Sequence, residues 1–277
     1  MTDRYAVIGH PVAHSQSPVI HAAFARMMSQ PMSYERLLAP VDGFATVVDA
    51  FRKSGARGAN VTTPFKLDAY HYANDLSARA RAAGAVNTLT FDGKKVGGDN
   101  TDGIGLCHDI VVNLRTSLAG ARILLVGAGG AARGVIGPIL EARPKQLCIV
   151  NRTMSKGVDL ANRFQSLGPV MATAIEDPTA RHFNIVINAT SASLEGTLPA
   201  MPAHSFAAGG LAYDMVYGKG VTPFMAEATR AGANVSDGLG MLVEQAAEAF
   251  FVWRGVRPAT AEVIAMMRAK TQPTSPG

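Results

Sequence analysis

Lys66 closes the run Asn60-Val61-Thr62-Thr63-Pro64-Phe65-Lys66, where a strand gives way to a turn and Pro64 opens a helix. A cation in the first turn of a helix opposes the helix dipole, so the position suggests a chemical duty for the amine. Asp102 sits in Gly97-Gly98-Asp99-Asn100-Thr101-Asp102-Gly103-Ile104-Gly105, a glycine-rich stretch that reads as a domain junction, a usual place for ligand pockets. An amine and a carboxylate brought together can hold and pass a proton. Ser15 and Ser17, next to Pro18, place two hydroxyls beside the positive end of a helix, where a carboxylate could bind. Ser17 before proline equally reads as an N-cap, and Thr101 or Asp102 as a cap of the next helix. His10 and His14 are four apart, but Pro11 rules out a helical metal pair, so no metal site is expected.

A second chemistry is legible in Arg122-Ile123-Leu124-Leu125-Val126-Gly127-Ala128-Gly129-Gly130-Ala131-Ala132. The branched apolar run reads as a strand of a parallel sheet, buried on both faces. Gly127-x-Gly129-x-x-Ala132 then matches the dinucleotide turn in its Ala-ended form, leading into a helix whose free amides accept a pyrophosphate. The next strand, Gln146 to Val150, ends in Asn151-Arg152-Thr153 with Lys156 close behind. An acid here would hold a ribose 2′-hydroxyl; Arg152 instead pairs with a 2′-phosphate, so NADP is the expected cofactor.

These residues need a scaffold, and the chain alternates as an α/β protein should. Strands are expected at 5–9, 34–38, 59–63, 85–91, 122–126, 146–150, 184–188, 211–217 and 234–235, with Asp92-Gly93 a hairpin turn between the fourth and its return strand. Helices are expected at 18–28, 42–54, up to Ala83, 104–114, 131–140, 153–167, 222–231, 240–254 and 258–270, followed by a loose tail at 271–277. At 277 residues, 48% hydrophobic and 17% charged, the chain is globular and has room for two domains. A net charge of +5 suits small anionic ligands, while scattered basic residues argue against nucleic acid as a partner. No apolar run approaches the ~20 residues of a membrane helix. Cys107 and Cys148 read as buried free thiols and the first residues show no signal-peptide pattern, so a cytoplasmic location is expected.

Taken together, these motifs resemble the shikimate dehydrogenase family over nearly the whole chain. The resemblance is carried by Ser15-Gln16-Ser17-Pro18, Asn60 to Lys66, Gly84-Ala85-Val86-Asn87-Thr88, Asn100-Thr101-Asp102-Gly103 and the glycine turn. It continues through Asn151-Arg152-Thr153, Asn188-Ala189-Thr190-Ser191, Tyr213-Asp214-Met215-Val216-Tyr217 and Gly238 to Gln245. It implies an N-terminal open α/β substrate-binding and catalytic domain over 1–102, a C-terminal Rossmann NADP-binding domain with a parallel sheet over 103–239, and a C-terminal helical segment, 240–270, that rejoins the first domain.

The implied reaction is reversible reduction of 3-dehydroshikimate to shikimate by NADPH, with quinate as an alternative or additional substrate and a catalytically silent sensor as a more distant reading. By resemblance, Lys66 and Asp102 are the catalytic pair, and Ser15, Ser17 and Tyr217 hold the substrate carboxylate. Thr62, Asn87 and Gln245 bind ring hydroxyls. Gly127, Ala128, Gly129, Gly130 and Ala131 form the pyrophosphate turn, while Asn151, Arg152, Thr153 and Lys156 form the adenosine-phosphate site. Thr190, Met215 and Gly238 lie on the nicotinamide half. Two departures from the family pattern stand out. Lys156 replaces a common arginine, and the loop Ser191 to Gly196 lacks an early glycine. Beyond small-molecule ligands, a monomer or homodimer is expected.

Overall fold

The computed structural model describes residues 2–271. Among the described residues, its contacts define two compact units, one of the chain up to Gly105 together with 243–269, the other of 106–242. Each holds one six-stranded sheet.

In the first unit, β1 (Asp3–Gly9), α1 (Ser17–Met27), β2 (Met32–Leu38), α2 (Phe44–Lys53) and β3 (Gly58–Val61) alternate as the sequence suggests. They are followed by α3 (Lys66–Tyr72), β4 (Asp75–Leu76), α4 (Ala78–Ala83) and the hairpin β5 (Thr88–Asp92) and β6 (Lys95–Asp99). The strand order is β2-β1-β3-β5-β6-β4. β1, β2 and β3 run parallel, and β5 is antiparallel to both β3 and β6. Ile8, Phe44, Phe51, Phe65 and Leu89 pack into one core cluster of this unit. Removing such branched and aromatic side chains from water, at about 25 cal/mol per Å² of apolar surface, is what drives its assembly.

α5 (Asp102–His108) continues into a wider π-helical turn at Asp109–Asn113, so the regular helix expected over 104–114 gives way in its second half. The second unit is then built from β7 (Arg122–Val126), α6 (Gly130–Glu141), β8 (Gln146–Val150), α7 (Met154–Phe164), β9 (Val170–Ala172) and β10 (Phe183–Asn188). It is completed by β11 (Phe206–Asp214), α8 (Pro223–Arg230) and β12 (Asn234–Asp237). Every pairing in this sheet is parallel. The order β12-β11-β10-β7-β8-β9 is the doubly wound arrangement whose strand order reverses between β7 and β10. The apolar runs of β7 and β8 are buried on both faces, which is why neither shows the alternation of a one-sided strand.

α9 (Leu239–Arg254) and α10 (Ala261–Thr271) end the described chain. From Val243 to Ala269 they belong to the first unit. There Trp253 stacks on Tyr5 with ring centroids 4.6 Å apart and donates its indole N–H to the carbonyl of Leu89 at 3.0 Å. Arg79 forks onto Asp99 through Nε (2.6 Å) and Nη2 (2.7 Å) and reaches Glu248 of α9 through Nη1 (2.8 Å).

Several sequence expectations need correction. Ser17 is the first helical residue of α1 rather than its cap; Gln16 occupies the cap position without a side-chain bond. Asp102 likewise begins α5, and its amide is received by the Asn100 side chain at 3.2 Å. Pro64 lies in the turn ahead of α3, after a cis peptide bond from Thr63. β11 starts earlier than expected and stops at Asp214, leaving Met215 to Tyr217 in the following loop, and α10 starts at Ala261 rather than 258. The short strands β4 and β9, two and three residues long, are too short to show a strand period in the sequence. Cys148 is buried and Cys107 half-buried, both as free thiols. Of the expected tail, Thr271 closes α10, and residues 272–277 lie outside those described.

Candidate active site

In the first sheet, register gathers the chemical residues along one edge. Ile8 pairs with Val61 and Thr88 with Asp99, so the segments leaving β1, β3 and β6 and the one entering β5 meet there. Lys66 Nζ lies 2.5 Å from Asp102 Oδ2, an ion pair in which the carboxylate side chain is 7% exposed and the amine side chain 18%. The other carboxylate oxygen accepts from Asn87 Nδ2 at 2.9 Å. Asn87, itself buried, takes the Thr101 amide on its Oδ1 at 2.9 Å and the Thr88 hydroxyl at 2.8 Å. Gln245 Oε1 completes the group, 3.5 Å from Asn87 Nδ2 and 3.4 Å from Thr101 Oγ1. The structure therefore brings Lys66, Asp102, Asn87 and Gln245 into one polar cluster. Its carboxylate is fixed by two donors and its amine retains partial access to solvent.

Ser15 and Ser17 form a second, adjacent pair in sequence and space. Ser15 Oγ donates to Ser17 Oγ at 3.2 Å, and Arg36 of β2 fixes the Ser15 carbonyl through Nε (2.9 Å) and Nη2 (2.5 Å). Thr62 is half-buried; its methyl group packs against Gly9, and its carbonyl accepts from the Phe65 amide at 3.0 Å. Tyr217 belongs to the second unit, in the loop after β11. Burial raises its phenol pKa, so it stays a neutral donor through the physiological range.

The nucleotide turn lies in the second unit. Val126 is level with Val150 and Asn188, Asn188 with Asp214, and Asp214 with Asp237. Gly127, Asn151, Thr190, Met215 and Gly238 thus follow the carboxyl ends of neighbouring parallel strands, where doubly wound sheets bind their ligands. Gly127 has φ +114°, a conformation that L side chains rarely adopt, and its amide donates to Val150 O at 2.8 Å. A Cβ on Gly129 or Gly130 would meet no protein atom within 4 Å, and α6 begins with no side-chain cap on its amides. That is the cradle a pyrophosphate requires, with Ala128 buried behind it and Ala131 in the first helical turn.

At the end of β8, Asn151 Nδ2 donates to the Thr153 carbonyl at 2.9 Å, holding the turn in which Thr153 precedes α7. Arg152 and Lys156 are exposed, and neither side chain has a hydrogen-bond or ion-pair partner among the described residues. Two uncommitted cations and no acid at this junction fit a 2′-phosphate and hence NADP. Gly238 packs so tightly on Met215 that a Cβ there would fall 2.3 Å from the Met215 carbonyl oxygen. That contact fixes the loop carrying Met215.

Comparison with known proteins identifies the family. Residues 7–89 match the model of the shikimate dehydrogenase substrate binding domain. Residues 109–197 match shikimate/quinate 5-dehydrogenase, and 238–267 the shikimate 5′-dehydrogenase C-terminal domain. A protein of Nitrosospira multiformis named shikimate dehydrogenase (NADP(+)) is 57% identical over 270 residues, covering 97% of this chain and 98% of its own. The chain belongs to the shikimate dehydrogenase family. Among solved structures of similar fold, the Ael1 enzyme from Pseudomonas putida has a TM-score of 0.90 at 47% identity, covering 96% of this chain and 98% of its own. The Thermus thermophilus shikimate 5-dehydrogenase, in complex with NADP(H) and shikimate, has a TM-score of 0.87 at 33% identity, covering 98% of this chain and 100% of its own.

Some polar residues of this fold escaped sequence reasoning. Asn60, inside β3, donates to the Asn87 carbonyl at 3.2 Å and to Thr88 Oγ1 at 3.1 Å, while receiving the Tyr34 hydroxyl at 2.7 Å. Asp214 is wholly buried at the end of β11. Alternation alone cannot tell such groups from solvent-facing ones; the available signal was their place inside the quoted motifs.

Proposed function

We propose that this chain reversibly reduces 3-dehydroshikimate to shikimate with NADPH. The observation that carries the reading is the 2.5 Å Lys66–Asp102 pair, backed by Asn87 and Gln245. The relatives' names and the two uncommitted cations after β8 support the cofactor.

NADPH supplies the hydride that the substrate carbonyl carbon accepts. The residues of the chain then manage binding and the proton. Ser15 and Ser17 donate hydroxyl hydrogens to the ring carboxylate, and the neutral phenol of Tyr217 adds a third donor. Thr62, Asn87 and Gln245 orient ring hydroxyls. As the carbonyl oxygen gains negative charge, the Lys66 ammonium donates one of its protons to it, forming the O–H bond and leaving the amine. In the oxidation direction the amine takes that proton back. Asp102 holds the Lys66 nitrogen in place and is itself held by Asn87, which limits the freedom of the reacting group. On this reading, the first unit, with residues 243–269, forms the substrate-binding and proton-handling half, and the doubly wound unit is the cofactor half.

Quinate carries the same ring carboxylate and remains the second substrate to test. The pair of serines at 15 and 17, with no added methyl group, favours shikimate. A cytoplasmic site suits two unpaired thiols and a reduced nicotinamide supply. The decisive assay measures oxidation of shikimate and of quinate, each with NADP⁺ and NAD⁺. Turnover dominated by shikimate with NADP⁺ is expected, and no turnover of either acid with either cofactor would end the proposal. Light scattering on the same preparation separates monomer from homodimer.

A further inference from the structure

Asp214 is a carboxylate with no exposure and, among the described residues, no cation beside it. Burying such a charge is costly unless every lone pair is used. Here four donors converge on it. Oδ1 accepts from Asn188 Nδ2 at 3.1 Å and from the Val216 amide at 3.2 Å. Oδ2 accepts from Ser193 Oγ at 2.6 Å and from Thr222 Oγ1 at 2.8 Å. Both hydroxyls have their acceptor role filled elsewhere, Ser193 from Asn188 Nδ2 (3.1 Å) and Thr222 from the Met225 amide that opens α8 (3.2 Å). Their hydrogens are therefore committed to the carboxylate.

The consequences reach the cofactor edge of the sheet. With its amide nitrogen held by Asp214, Asn188 turns Oδ1 toward Thr190, accepting the Thr190 amide at 3.1 Å and its hydroxyl at 2.7 Å. The Thr190 methyl carbon lies 3.0 Å from where a Cβ would stand on Gly127, the first glycine of the pyrophosphate turn. On the other side, Asp214 grips the backbone immediately after Met215, and the Val216 carbonyl is held by the Gly238 amide at 3.1 Å. One buried acid thus fixes the loops after β10 and β11 together.

We propose that Asp214 is a positioning residue for the nicotinamide half of the cofactor, acting through Asn188, Ser193 and Thr222. This rests on the NADP reading above. Arg152 and Lys156, which face the adenosine phosphate in that reading, lie in the turn after β8 and the first turn of α7 and have no part in the Asp214 network. Loss of the network therefore separates two halves of one ligand.

The test compares the full-length wild type with Asp214→Asn and Ser193→Ala, titrated with NADPH and with 2′,5′-ADP, which carries only the adenosine-phosphate half. An asparagine at 214 turns one NH₂ toward two donors, and Ser193→Ala removes one charge-assisted bond. NADPH affinity should fall about tenfold in each, the loss of one hydrogen bond to a charged group, while 2′,5′-ADP binds within about twofold of wild type. Ser193→Thr, which keeps the hydroxyl, should restore NADPH binding. Unchanged NADPH affinity in Ser193→Ala, even with a lowered melting temperature, would overturn the proposal, and so would equal losses for both ligands. A wild type that binds neither ligand would instead remove the NADP reading, and this inference with it. Should Asp214→Asn fail to fold, Ser193→Ala and its threonine counterpart decide alone.

Discussion

His21 gives the first unit a pH dependence that can be calculated. It is wholly buried on α1, with its ring stacked on Tyr34 at 4.3 Å and 7°, and 5.4 Å from Trp253. Burial, opposed only by a weaker upward pull from Asn60, lowers its pKa from 6.5 to about 3. Between those values the unfolded chain binds a proton that the folded chain refuses, so stability rises with pH and is lost as the solution is acidified below 6.5. The slope is about 1.4 kcal/mol per pH unit, which amounts to roughly 2 kcal/mol by pH 5 and almost nothing at pH 7.5. With an m value of ~2 kcal/mol/M, the urea midpoint should drop by about 1 M from this residue alone.

Trp253, the single tryptophan of the sequence, lies against this cluster, so its fluorescence reports the unfolding of the first unit. The comparison is between wild type and His21→Phe at pH 7.5 and pH 5.0. Any packing penalty of the phenylalanine is the same at both pH values and cancels, as do all other titrating groups. The wild-type midpoint should fall about 1 M further than that of the variant. A difference between the two shifts below about 0.2 M would refute the argument that burial suppresses protonation here.

Further expectations concern the site and its supports. Lys66→Ala should lower kcat for shikimate oxidation by about 10²–10⁴-fold while leaving KM for NADP⁺ near wild type; steady-state kinetics showing less than a threefold fall, roughly 0.7 kcal/mol, would remove the amine from the proton path. Arg152→Ala should weaken NADP⁺ about 10- to 100-fold and leave NAD⁺ little changed, read as the ratio of the two kcat/KM values. Arg79→Met removes the cation paired with Asp99 and one of the two beside Glu248, which keeps Arg257. Burial tends to raise the Asp99 pKa, and hydrogen bonds from Arg79 and Ser77 more than offset it, so the native carboxyl lies below its usual range. The loss should cost about 2–3 kcal/mol by urea titration, less than for a fully buried pair because a quarter of the arginine side chain is exposed.

What the sequence disclosed depended on how local the cause was. The glycine turn, the strand before it and the cations after β8 are written in consecutive residues, and the parallel sheet follows from apolar runs too long to have a wet face. Lys66 stood out because its helix position is unfavourable for a cation, and the structure supplies the partner, 36 residues away, that offsets this. The links from Asp214 to Asn188 and Ser193, the Asn60 bridge and the Arg79 fork join residues 20 to 169 positions apart, and no local pattern announces which polar side chain turns inward. Caps were misjudged for the opposite reason. Ser17 is a good cap by type, yet its own amide is received by Ser15 Oγ at 3.3 Å, which shifts the helix start and leaves both hydroxyls at the loop.

Because the first unit is completed only by residues 243–269, its order of assembly on the ribosome is constrained. Strands β1 to β6 emerge early but lack Phe250 and Trp253, which pack beside His21 and Tyr5. The doubly wound unit, nearly continuous in the chain, has all its strands once residue 237 has left the tunnel. Gly105 lies against Gln245, a Cβ there falling 2.6 Å from the Gln245 amide, so the inserted segment departs from and returns to neighbouring points. A nascent chain stalled before residue 243 would therefore carry a finished doubly wound unit and an uncovered aromatic face, a natural target for chaperones until residues 243–269 emerge.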